Sequence, residues 1–353
     1  MSKVQDRPIQ RDPTRSLVPV PVDALRPEAV CYLPEQGAPP LFIDKAEGID
    51  LTTDAFISWV EAKRHVLDAL ILAHGGIVLR GFPMRTAEQF NALVGLFPGF
   101  QNGYAAGMSP RNKVTGNVLE STRMVEDFKI ILHSEMAYMK NYPPRIAFFC
   151  RQAATERGAT TIGPAREVLK RLPARLRERL EAHKIHVVRN YAPKGNSRDA
   201  AIVADAGQVG WDSAFFTEDR AEVEKICRKL GIEPTWNEDG SLTLVDVNEP
   251  FTVHPVTGER FYRNNLHTNR TASGAWGTES RTSAGGRRPA GHFLDDGEPL
   301  TPQDAALIRN ILEDIELAWQ WRDGDLMILD NLQVFHGRET FSSPREVMVA
   351  LLG

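Results

Sequence analysis

The sequence predicts a mainly β fold, a sandwich or barrel with helices laid over one outer face. Three observations point there. Past residue 110 the apolar residues fall in short runs such as "RIAFFCRQAA", "KIHVVRNY" and "LTLVDVN", the length of ordinary strands. Loops and tight turns join most of these runs, where a doubly wound sheet would need regular crossover helices. The helical stretches are expected as cover for one outer face rather than as the repeating unit of the fold.

Taken in order, residues 1–40 are rich in Pro and charge, and "LVPVPVDALRP" and "EQGAPP" break any period. This segment is expected as an extended arm with no core of its own, and residues 41–353 as one domain. Phe56, Val60, Val66, Leu67, Leu70 and Ile71 recur at roughly helical spacing. Thr53 or Asp54 offers an N-cap, and Gly75-Gly76 a stop. "IVLRGF" follows as a buried strand, and "TAEQFNALVGLF" as a helix capped by Thr86. "GPAREVLKRLPARLRERLEAH" is helical with a break at Pro173, and "DRAEVEKICRKLGI" is a helix closed by glycine. "FTVHPVTGERFYRNN" folds back on itself through "PVTGE". A long helix, "TPQDAALIRNILEDIELAWQW", precedes two last strands, "GDLMILDNLQVFHG" and "REVMVALLG".

Composition bounds the function. The 353 residues are 42% hydrophobic and 25% charged, with a net charge of −4 and a pI near 6.2. That balance argues against nucleic acid or an anionic membrane surface as partner. No apolar run reaches the roughly 18 to 20 residues of a spanning helix, and "MSKVQDRPIQRDPTR" lacks the apolar stretch of a secretory signal. Cys31, Cys150 and Cys227 are few, odd in number and far apart, which disfavours a disulfide framework. A cytoplasmic protein acting on small molecules is expected.

The chemistry concentrates in "ILHSEMAYM". On a β-strand, residues two apart share a face, so His133 and Glu135 would turn one imidazole and one carboxylate toward the same interior. An isolated His-x-Glu is commonly structural. His336, closing the apolar run "LMILDNLQVFH", supplies a second imidazole. Two histidines and a carboxylate suit a facial iron(II) site with open positions, and the same donors suit a hydrolytic zinc. Arg345 then stands in an apolar strand where an unpaired guanidinium is costly. It calls for a carboxylate, either Glu339 or Glu346 as an ion pair, or a dicarboxylate cosubstrate held in bidentate fashion. Thr160 in "RGATTIGP" would share that carboxylate.

The segments "RGF", "LHSEMAYM", "RGATTIGPAREVLKRLP", "HPVTGERFYRNNLH" and "GDLMILDNLQVFHGRETFSSPREVMVALLG" occur in an order that resembles the TauD/TfdA superfamily. The likeness runs from about residue 75 to the end, and is strongest to the SyrP-like, aspartyl-hydroxylase branch. It implies a double-stranded β-helix, or jelly roll, of the clavaminate synthase-like type flanked by helices. It also implies a dioxygenase using Fe(II), 2-oxoglutarate and O2. His133, Glu135 and His336 map onto the metal ligands, Arg345 onto the cosubstrate arginine and Thr160 onto the cosubstrate threonine, where "RGAT" replaces the usual "GGET". Asn117 falls where relatives place a cosubstrate or substrate amide. Asn264, His267 and Arg338 are candidates for facing the substrate.

The implied activity is hydroxylation of an amino acid, free or attached to a carrier protein, in specialised metabolism. Desaturation or epoxidation by the same oxidising chemistry, a non-catalytic metal-binding barrel and a zinc hydrolase are the alternatives. Halogenation is disfavoured, because Glu135 would occupy the coordination position that chloride needs. Arg287 and Arg288 lie in a Gly/Ser/Arg-rich loop, where a solvated role is the plainer reading. Trp276 and Trp211 are as well explained by core packing as by lining a pocket.

Overall fold

The structure is a computed structural model that describes residues 12–35, 37–101, 103–108, 111–121, 126–195, 209–268, 290–298 and 300–353. Its largest sheet has nine strands in the order β1-β2-β3-β4-β16-β8-β18-β6-β5. These are β1 (Leu17–Val20), β2 (Ala29–Pro34), β3 (Leu41–Lys45), β4 (Gly76–Arg80), β5 (Lys113–Thr115), β6 (Val118–Glu120), β8 (Arg145–Gln152), β16 (Leu326–Asp330) and β18 (Glu346–Leu352). Only β3 and β4 run parallel among its pairs.

Alternation along these strands serves two cores. Ile77, Leu79, Phe149, Ile328 and Ala350 pack outward with Phe56, Trp59, Leu67 and Phe90. These last come from α1 (Thr53–Ala62), α2 (Arg64–His74) and α3 (Ala87–Val94). Val78, Phe148, Met327, Leu329 and Val349 pack inward. Since neighbouring residues point to opposite faces, a sheet apolar at every position is buried on both sides.

The inward face meets a smaller sheet, β7-β17-β9, formed by β7 (Ile130–His133), β17 (Val334–Arg338) and β9 (Ile162–Pro164). Leu132, Ile162, Val334 and Phe335 complete that core. This is the expected jelly roll. A four-stranded sheet, β11-β12-β10-β15, adjoins it, made of β10 (Ile185–Tyr191), β11 (Thr235–Trp236), β12 (Leu242–Asn248) and β15 (Ala290–Leu294). The hairpin of β13 (Phe251–Val253) and β14 (Arg260–Tyr262) fits the "PVTGE" turn.

Four expectations change. Helices lie on both sides of the sandwich rather than one: α1 to α3 cover the large sheet, and the helix Pro302–Ile315 packs on β7 and β9. The helix expected from residue 53 to the glycine pair is two, because Lys63 leaves helical geometry at ψ 6. The long C-terminal helix stops at Ile315, with Glu316 extended at ψ 130. Finally, "GDLMILDNLQVFHG" is two strands. Asp330 Oδ1 accepts from the Leu332 and Gln333 amides and turns the chain, so β16 joins the large sheet and β17 the small one. The arm is drawn into the fold as well: β1 and β2 extend the large sheet, and Leu25, Ala29 and Cys31 are buried against it.

Among the described residues no helix is long and apolar enough to cross a membrane. The three cysteines are free and buried.

Candidate metal centre

β7 and β17 pair antiparallel with His133 directly opposite His336, which brings the ring centroids to 4.5 Å. β17 is held on its other side by β9, so His336 sits on a central strand. The next residue has to be glycine. A Cβ on Gly337 would lie 2.5 Å from the Ile130 carbonyl oxygen and 2.7 Å from Thr161 Oγ1.

Glu135 reaches the pair by a different route from the one the sequence suggests. β7 ends at His133, and Glu135 lies in the turn that follows, where Met136 has φ 54. Strand alternation therefore does not aim its carboxylate. Asn331 holds the turn instead: its Oδ1 accepts from the Glu135 amide at 2.7 Å. Its Nδ2 donates to the Glu135 and Pro143 carbonyls at 3.0 and 2.8 Å.

One donor atom from each of His133, Glu135 and His336 lies within 4.8 Å of the others. His133 Nδ1 is 2.9 Å from the Ile131 carbonyl. A carbonyl only accepts, so Nδ1 carries the proton and Nε2 keeps a free lone pair. Burial and the neighbouring His336 push the His133 pKa down to about 4, which keeps the imidazole neutral. Burial pushes the Glu135 carboxyl up, but Arg111 and the two imidazoles outweigh it and hold the group well below the usual carboxylate range. Arg111 Nη2 donates to Glu135 Oε2 at 2.7 Å. Two imidazoles and one ionised carboxylate fit an Fe(II) ion with open positions left for other ligands.

The adjoining cavity is lined by His133, His336, Thr160, Arg111, Arg338 and Arg345, among others. Arg345 precedes β18. Its Nε donates to the Gly158 carbonyl at 2.6 Å and its Nη2 to Thr160 Oγ1 at 3.1 Å. Trp321 Nε1 donates to the same oxygen at 3.1 Å. With two donors on its oxygen, the Thr160 hydroxyl has its own hydrogen left for an acceptor. Gly158 permits this contact: its φ is +73, and a Cβ would meet Arg345 Cδ at 3.1 Å. The ion pairs considered for Arg345 are taken elsewhere. Glu346 bonds Arg151 at 2.7 Å, and Glu339 Oε2 accepts from the Ala159 amide at 3.1 Å. Burial and then Arg338 push the Arg345 pKa down to about 10, as expected for a cation short of a counter-ion.

Other candidates stand differently. Asn117 lies in the exposed turn between β5 and β6, outside the cavity lining, with its amide bonded to Asn91 Oδ1. That placement does not support a cosubstrate role. Asn264 has both ends of its side chain on local backbone, donating to the Pro250 carbonyl and accepting from the Leu266 amide. It is a turn residue. His267 is buried behind the centre with Nδ1 3.2 Å from the Tyr262 hydroxyl, and is not part of the lining. Burial and His292 push its pKa down to about 3. Arg338 does line the cavity and donates Nη2 to the Phe128 carbonyl at 2.8 Å. Arg287, Arg288 and Trp276 lie outside the described residues.

Sequence reasoning passed over two residues. Arg111 stands in "RNKV" without any pattern to mark it. Asn331 did carry a signal, as part of a polar pair interrupting the apolar run "LMILDNLQVF".

With this geometry in view, the comparisons with known proteins agree. The model of the taurine catabolism dioxygenase TauD, TfdA family matches residues 35–351. The chain therefore belongs to this family and is an Fe(II)- and 2-oxoglutarate-dependent dioxygenase. A clavaminate synthase-like protein of Arabidopsis thaliana is 30% identical over 304 residues, covering 85% of this chain and 88% of the relative. The dapdiamide synthesis protein DdaC of Enterobacter agglomerans is 28% identical over 324 residues, covering 90% and 92%. In fold the chain is similar to PvcB of Pseudomonas aeruginosa, with a TM-score of 0.50 at 16% identity over 99% of this chain and 94% of that one.

Proposed function

We propose that this dioxygenase hydroxylates an unactivated C–H bond of an amino acid, free or bound to a carrier protein, in specialised metabolism. Relatives named for dapdiamide synthesis and for likeness to clavaminate synthase support the substrate class. The observation that carries the reaction is Glu135, an ionised carboxylate within 4.8 Å of two imidazole donors. His133, Glu135 and His336 would hold the iron, and Glu135 fills the position a halide would need.

Bound Fe(II) with 2-oxoglutarate and O2 supplies the oxidising power, and the cosubstrate leaves as succinate and CO2. The chain's own residues do the rest. Arg345 and the Thr160 hydroxyl would hold the far carboxylate of 2-oxoglutarate, fixing its opposite end toward the ligand triad. Phe148, with its ring 5.2 Å from that of His336, shields the triad from water on the inner face of the large sheet.

The test is a screen of free and carrier-bound amino acids with succinate and product mass both followed, using isotopically labelled O2. Hydroxylation predicts a product gaining one labelled oxygen, in step with succinate. A product lacking two hydrogens would move the assignment to desaturation, and a chlorinated product would remove Glu135 from the iron.

A further inference from the structure

Arg111 is the second buried cation at this centre. It is 7% exposed, its guanidinium lies 4.6 Å from the centre of the Tyr104 ring, and Nη2 is taken by Glu135. Its Nε and Nη1 are buried and have no hydrogen-bond partner. A guanidinium carries five N–H donors in a fixed plane, so one bond to Glu135 leaves at least one edge open. Buried donors left unmet are destabilising unless something else meets them.

Charge points the same way. Among the described residues three guanidiniums and no carboxylate line the cavity. On the reading above, Arg345 takes the cosubstrate. Arg338 already donates to the Phe128 carbonyl and feels Glu126. Among the described residues Arg111 is paired with Glu135 alone, whose negative charge would be shared with the metal it helps to bind. With iron(II) and 2-oxoglutarate bound, the cavity would keep an excess of positive charge beside Arg111.

We propose that Arg111 is a specificity-determining residue that holds a free carboxylate of the substrate beside the metal centre. The substrate class follows. A free amino acid satisfies Arg111 through its own carboxylate. An amino acid tethered to a carrier through its carboxyl group does so only when its side chain carries a second carboxylate. The inference rests on the functional reading above and adds the group that is recognised.

The test uses the full-length enzyme with Fe(II) and 2-oxoglutarate under anaerobic conditions, reading the visible charge-transfer band that this complex gives. The probes are the L-amino acids, their carboxamides, and pantetheine thioesters of aspartate and glutamate. In the wild type, at least one probe with a free carboxylate should shift the band, and its uncharged amide should bind about 30-fold more weakly or worse. Arg111→Gln should bring the acid down to the level of the amide, and Arg111→Lys should keep part of the preference. Should Arg111→Gln fail to fold or to form the band, the wild-type comparison and Arg111→Lys still decide. Equal binding of acid and amide by the wild type, a preference that survives in Arg111→Gln, or no response to any carboxylate would each overturn the proposal. Failure of the wild type to form the band at all would instead overturn the functional reading on which it rests.

Discussion

Two buried arginines, Arg80 in the large sheet and Arg345 at the cavity, meet their surroundings in opposite ways. Arg80 is closed on a carboxylate of its own: Nε lies 3.1 Å from Asp325 Oδ1, and Nη2 lies 2.7 Å from Oδ2. Arg345 reaches only neutral acceptors, the Gly158 carbonyl and the Thr160 hydroxyl. A bidentate pair inside the protein is a completed interaction that serves the fold. A guanidinium with neutral partners still lacks an anion of its own, and burial, followed by Arg338, holds its pKa below the usual arginine range. The difference separates the half of the molecule that supports from the half that reacts.

The largest expected effect is on the reacting side. His336→Ala removes one of two imidazoles and should abolish turnover and strongly weaken Fe(II) binding, while metal-free urea unfolding stays close to wild type. Full activity in that variant would remove the triad from the account. On the supporting side the pattern should invert. Asp325→Asn strips Arg80 of its counter-charge and should destabilise the fold by about 3–5 kcal/mol, read as a lower urea midpoint. A loss below about 1 kcal/mol, as for an exposed pair, would break the comparison.

Asn331 sharpens it, because this residue belongs to the fold yet positions a ligand. Asn331→Ala loses three hydrogen bonds around Glu135. It should weaken Fe(II) about 10- to 100-fold, the usual consequence of removing an outer-shell partner. Isothermal titration with Fe(II) under nitrogen measures it, and wild-type affinity would show that the turn holds itself.

The last effect is graded rather than all-or-none, a slope with pH. Burial, with a neighbouring cation or imidazole, pushes His133, His267 and His292 down to about 4, 3 and 4. Unfolded, each would take a proton near pH 6.5. The unfolded chain therefore binds more protons between about pH 6.5 and 4, and stability falls as pH drops through that window. The metal-free enzyme should lose up to about 1.4 kcal/mol per pH unit for each histidine. Urea midpoints that stay flat from pH 7 to pH 5 would contradict this.

How far the sequence carries depends on where each interaction lives. The two histidines and Arg345 were legible, because their residue types stood out against apolar runs and matched a family pattern. The helix end capped by Thr86 was legible too, its hydroxyl accepting from the Gln89 amide, whereas the first helix is capped by Thr52, one residue ahead of the expected Thr53 or Asp54. Glu135 was found for an incomplete reason, since strand spacing named the residue but a turn pinned by a residue 196 positions away aims it. Arg111 stayed hidden because its meaning comes from a contact across the fold with Glu135. Asn117 and Asn264 looked functional by residue type, yet Asn117 lies in an exposed turn outside the cavity lining, and backbone bonds account for the Asn264 side chain. The split of "GDLMILDNLQVFHG" turned on Asp330, a single side chain that reverses the backbone inside an apolar run.

On the function proposed above, Arg345 awaits the carboxylate of 2-oxoglutarate. The direct measurement is the 2-oxoglutarate affinity of the anaerobic Fe(II) enzyme, wild type against Arg345→Gln, titrated through the visible charge-transfer band with the urea midpoint of each protein alongside. Losing a charged hydrogen-bond partner of about 2 kcal/mol or more predicts an affinity at least about 30-fold weaker, with the midpoint unchanged or raised. An unchanged affinity with a lowered midpoint would place Arg345 with Arg80, as a finished part of the fold, and would contradict the account.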